Sequence, residues 1–95
     1  MSEAKPAFAP TYEEAVKLAA PYYRAMAESD MALAAVGCAD PLAATADAYR
    51  YRLRERENLR CASEAWAVQK MVSALFGVSE EQVDSDVRRA AGIED

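Results

Sequence analysis

The chain contains no histidine among its 95 residues. That removes the commonest general base, the commonest metal ligand and the side chain that switches charge near neutral pH. It has three glycines and four prolines, too few and too dispersed for a phosphate-cradling loop. Two cysteines, Cys38 and Cys61, cannot make a disulfide scaffold, and neither has the imidazole partner that a nucleophilic thiol needs. No stretch approaches 18 consecutive apolar residues, and the first residues lack an apolar signal core. These absences lead us to expect a non-catalytic protein with no cofactor and no metal, placed in the cytoplasm rather than in or on a membrane.

What is present is helix-forming sequence. Apolar residues make up 53% of the chain, enough for one globular domain. Much of that share is alanine, which favours helix and lets helices approach closely but buries little area. The burial is therefore expected to fall on Tyr23, Trp66, Met71, Leu75 and Phe76. No alternating strand pattern or hairpin signal occurs. The fold class is all-α, a small bundle of four to five helices with one long central helix, straight or bent.

The punctuation sets the boundaries. Residues 1–10, with Pro6 and Pro10, read as a mobile N-terminal arm before a single domain over 11–95. Thr11 and Glu14 have capping-box spacing. Tyr12, Val16, Ala19, Tyr23 and Met26 then keep one helical face, in phase across Pro21, so a kink there is favoured over a break. Ser29 and Asp30 read as a cap or turn, giving helices over about 12–28 and 30–36, closed by Gly37. Asp40-Pro41 signals a new start, and helix formers continue to Gly77. A helix over 41–76 would be about 54 Å long, too long for a compact globule of this size, whose radius of gyration is about 12 Å. It must bend or belong to an elongated protein. Its greasy stripe, Leu42, Ala46, Tyr49 and Leu53, leads into Glu57 and Arg60 before resuming at Val68, Met71 and Leu75. Ser79 and Gln82 cap a last helix over 80–91, with Arg88 and Arg89 near its negative end.

Charge is unevenly spread. The net charge is −5, yet residues 50–60 carry +3, because Arg50, Arg52, Arg54, Arg56 and Arg60 crowd there. On a helix Arg52, Arg56 and Arg60 share a face, where like charges are mildly destabilising. Arginine offers a flat fork for carboxylates or phosphates, and Tyr49 and Tyr51 add the aromatic surface that protein interfaces favour. The candidate interaction surface is therefore Tyr49, Arg50, Tyr51, Arg52, Arg54, Arg56 and Arg60. The plain alternative is internal pairing with acidic residues of the first or last helix, such as Glu13, Asp84 or Asp86. A secondary acidic surface consists of Glu80, Glu81, Asp84 and Asp86.

These features predict a small macromolecule-binding, regulatory protein whose partner is a protein. Its size, acidity and lack of catalytic residues are shared with the inhibitors that phages and mobile elements encode, anti-CRISPR and anti-restriction proteins among them. A structural subunit forming a homodimer or larger homo-oligomer through the long helix is the alternative. Nucleic-acid binding through Arg52, Arg56 and Arg60 ranks third, since the overall charge repels a polyanion.

Overall fold

The Thr11 hydroxyl accepts from the Glu14 amide at 3.2 Å, and the Glu14 carboxylate accepts from the Thr11 amide at 2.9 Å. This capping box satisfies two backbone donors that the first turn leaves orphaned. In the computed structural model, which describes residues 10–93, helix α1 then runs without interruption over Tyr12–Val36. All but the last residue of the expected arm, 1–10, lies outside the described residues. Pro21 sits inside the helix on an exposed position, where water can satisfy the carbonyl that its missing N–H leaves free.

The expected division at Ser29 and Asp30 does not occur. The Ser29 hydroxyl donates back to the Met26 carbonyl at 2.8 Å, and the Asn58 amide of the next helix donates to both Ser29 and Asp30. Both residues thus find partners without leaving the helix, so neither is needed as a cap. The expected start at Pro41 is also displaced. Asp40 forms a turn, accepting from the Leu42 amide on its side chain and from the Ala43 amide on its carbonyl. Thr45 is the cap instead, accepting from the Ala48 amide at 3.1 Å. Helix α2 covers Ala46–Phe76. Gly77 closes it in the left-handed conformation, which costs glycine no side-chain clash. The Ser79 cap then starts α3, Glu80–Ala91, as its spacing predicts. The described residues form three helices rather than four or five, and no strand.

Helix α2 has 31 residues and is about 46 Å long. The molecule measures 66 × 24 × 18 Å with a radius of gyration of 17.5 Å, so the elongated solution is the one adopted. α1 and α2 run antiparallel: the Tyr12 ring meets Phe76 edge-on, Tyr23 reaches Gln69, and Ser29 meets Asn58. α3 packs across one side of this hairpin at the end holding the N-terminal half of α1. The result is a three-helix head continued by a two-helix stalk.

The core lies in the head and is made of small residues. Ala15, Val16, Ala19, Ala20 and Tyr23 of α1 meet Ala65 and Val72 of α2 and Val83, Val87 and Ala91 of α3. This corrects the expectation that the largest side chains carry the burial. Tyr23 is buried and Phe76 partly so, but Trp66, at 58% exposure, and Met71 and Leu75 stand in solvent. The physical reason is the alanine seam. Helices in contact through alanines come too close for large side chains between them, and those move to the flanks. Along α2 the buried seam is Cys61, Ala65 and Val72. The stripe of Tyr49 and Leu53 faces out, and Leu42 falls in the exposed loop before the helix.

Candidate functional site

Alternating arginine and glutamate through 54–57 keep the middle of α2 helical, and the geometry divides the five arginines into distinct roles. Arg50 forms an ion pair with Asp47 one turn earlier. Arg52 reaches back over the preceding loop and donates to the Pro41 carbonyl at 2.7 Å and the Ala43 carbonyl at 3.3 Å. It is a clamp on residues 41–43. Arg60 donates to Glu57 at 2.6 Å and Glu64 at 3.0 Å. The Arg60 hydrogen bond, then its charge, holds the Glu57 carboxyl below the usual carboxylate range, and the same contacts hold Arg60 more firmly protonated. Arg54 adds its charge near Glu57 and lines a cleft of about 270 Å³ between the stalk helices, with Glu28, Ser29, Glu57, Arg60 and Cys61. Among the described residues Arg56 has no hydrogen bond or ion pair, and it is exposed.

The expected row of three equivalent forks is therefore unequal: Arg52 and Arg60 are engaged by their own chain, and Arg56 is open. The internal counter-ions considered above do not supply that engagement. Asp86 and Glu13 lie together in the head, and Asp84 meets Tyr23 there. Tyr51 is half-buried and leaves the outer face. Tyr49, Leu53, Arg56 and Arg60 are all exposed, and steps of four, three and four place them along one side of the helix. Leu53 was missed as a surface residue because its spacing from Tyr49 mimics a core stripe. The small-residue seam of Cys61, Ala65 and Val72 is the sequence signal that marks the opposite face as buried.

The acidic residues of α3 are used differently from one another. Asp86 accepts from the Tyr12 hydroxyl at 2.6 Å, from Gln82 at 3.0 Å and from Arg89 at 3.2 Å. The Tyr12 bond is the main cause of its lowered pKa. Burial, then Asp86, pushes the Tyr12 phenol up to about 12. Asp84 accepts from Tyr23 and from Arg88, each at 3.0 Å. Glu80 lies 3.5 Å from Lys70, whose ammonium sits 4.7 Å over the Trp66 ring. Glu81 is exposed with no partner among the described residues. Asp84 and Asp86 thus fasten α3 to α1, leaving Glu80 and Glu81 as the outward part of the acidic surface.

The described residues include no group of three or more acidic or cysteine side chains placed to hold a metal and no helix long and apolar enough to cross a membrane. No protein-family model, curated protein or solved structure matches this chain.

Proposed function

We propose that this is a small, non-catalytic protein-binding module that takes an acidic segment of another protein on the outer face of its stalk. The observation that carries the reading is Arg56, a guanidinium with no partner among the described residues, standing between exposed Leu53 and ion-paired Arg60 on a face that begins with Tyr49. Tyr49 and Leu53 supply apolar area, and tyrosine does so at low entropic cost. Arg56 supplies a fork for a carboxylate. Arg60, balanced by Glu57 and Glu64, tolerates a neighbouring acid without needing one.

A regulatory or inhibitory role of the kind small acidic phage proteins play suits the size and charge of the chain. A version in which the acidic residues mimic nucleic acid has less to draw on, because Asp84 and Asp86 hold α3 in place. Nucleic acid binding at the stalk is likewise disfavoured by the carboxylates set among its arginines. The two free thiols, Cys38 and Cys61, fit a reducing, cytoplasmic setting.

The test is capture from lysate of the source cell with wild type, Arg56→Glu and Leu53→Asp. Wild type is expected to retain a partner that both variants lose, and salt is expected to weaken that capture. Equal recovery by Arg56→Glu would remove the stalk face as the site.

A further inference from the structure

The hairpin of α1 and α2 has two long sides in the head, and α3 covers one. On the other, a groove of about 320 Å³ is lined by Leu18 and Tyr22 of α1 and by Val68, Met71, Leu75 and Phe76 of α2. Four of these side chains stand largely in solvent: Leu18 is 67% exposed, Tyr22 44%, Met71 54% and Leu75 69%. The adjoining outward positions of α2, Ala67 and Ala74, are also exposed. From Ala65 to Phe76 the only charged residue is Lys70, and it is drawn over Trp66. A helix face that meets water alone carries polar side chains, whereas a contiguous exposed apolar patch marks an interaction site.

We propose that a second copy of this chain covers this face, giving a head-to-head homodimer. This goes beyond the stalk reading and rests on different residues. The exposed parts of the four large side chains and the two alanines amount to about 500 Å², taking roughly 200 Å² for a large side chain in full. One patch on each of two copies gives about 1,000 Å², the size at which specific interfaces begin. The patch suits a two-fold partner, since Met71, Leu75, Leu18 and Tyr22 are knobs and Ala67 and Ala74 are the flat places that receive them. A second copy also brings no charge into the contact, so none is buried unpaired. With the two-fold axis across the helices, the stalks point apart. The dimer then presents two copies of the Arg56 face at opposite ends, which raises avidity for a partner with repeated acidic segments.

Light scattering on the full chain, from about 1 μM to about 500 μM to bracket weak association, tests this directly. Wild type is expected to reach twice the 10.4 kDa chain mass, while Met71→Glu and Leu75→Glu stay monomeric with helical circular dichroism unchanged. Leu53→Glu on the stalk should dimerise as wild type does. If either head variant loses helicity, Leu18→Glu repeats the test from α1. A wild type monomeric across the range, or a dimer that survives charge in the head groove, overturns the proposal. A monomer that still captures a partner through Arg56 would overturn the dimer alone.

Discussion

The Tyr23 hydroxyl lies 3.0 Å from the Asp84 carboxylate, joining the most buried aromatic ring of α1 to the solvent edge of α3. The ring fills the core while its oxygen reaches Asp84 and Gln69. Burial, then the Asp84 hydrogen bond, raises the phenol pKa, so the neutral donor form persists well above its usual range.

Tyr23→Phe keeps the ring and removes the hydroxyl. Asp84 retains Arg88 on its other carboxylate oxygen, while Gln69 keeps its amide donation to the Glu80 carbonyl but loses the donor to its own oxygen. The expected loss is about 1.5–3 kcal/mol, that of a hydrogen bond to a charged acceptor. Tyr23→Ala also opens a cavity and should cost about 3–5 kcal/mol. Urea unfolding followed by circular dichroism measures both, and equal losses for the two would show that the hydroxyl carries the whole effect.

Tyr12 and Asp86 make stability pH-dependent at both ends. The native Asp86 pKa is depressed, so the unfolded chain binds its proton first as pH falls. The contribution is complete above about pH 4, the unfolded value, and is lost as pH drops through the lower native one. The Tyr12 pKa is raised from 10.0 to about 12. Its contribution is complete below pH 10 and disappears as pH rises towards 12. The stability gap between wild type and Tyr12→Phe should therefore be widest near neutrality and narrow in both directions. A gap constant from pH 3 to pH 12 would contradict the linkage.

The helical class, the Thr11 and Ser79 caps and the closing glycines were legible because each depends on residues within a few positions of one another. The faces were not. Leu42, Tyr49 and Leu53 have the spacing of a core stripe, and only the close docking of α1 on α2 decides that Ala65 and Cys61 lie inside instead. Likewise Arg52 could not be read as a loop clamp, because its acceptors are carbonyls, and carbonyls leave no mark in a sequence. The tyrosine–aspartate bonds of Tyr12 and Tyr23 join residues more than sixty positions apart.

The alanine seam reverses the usual ranking of substitutions. Trp66→Ala removes an exposed ring and a contact with Lys70, a loss of about 1 kcal/mol or less. Ala19→Leu adds bulk where α1 meets its neighbours and has no room to turn away, and should cost about 1–3 kcal/mol or more. Melting temperatures of the two variants would check this, and a tryptophan variant less stable than the leucine variant would place the core elsewhere.

Pro21 holds an interior helical position that is exposed to solvent. Alanine there restores a backbone donor and relieves the clash with the carbonyl of Lys17. The helical gain, about 3 kcal/mol in an unstrained host, is offset by the extra freedom that alanine gives the unfolded chain. Pro21→Ala is expected to stabilise by about 1–2 kcal/mol, read as a higher urea midpoint. No gain would mean that the helix already accommodates the proline without strain.

The stalk should open before the head. Its helices share no part of the main core; Ser29, Ala48 and Cys61 are its buried residues, and Asn58, donating to Ser29 and Asp30, is its main polar bridge. Native-state hydrogen exchange should find amides over 48–58 opening by local fluctuation, while those over 64–76 exchange only with global unfolding. Asn58→Ala removes the bridge and should speed exchange in the stalk without changing the slowest amides of α2. A stalk protected as strongly as the head would require a covering that the described residues do not supply, and protection rising with protein concentration would locate that covering in a second copy.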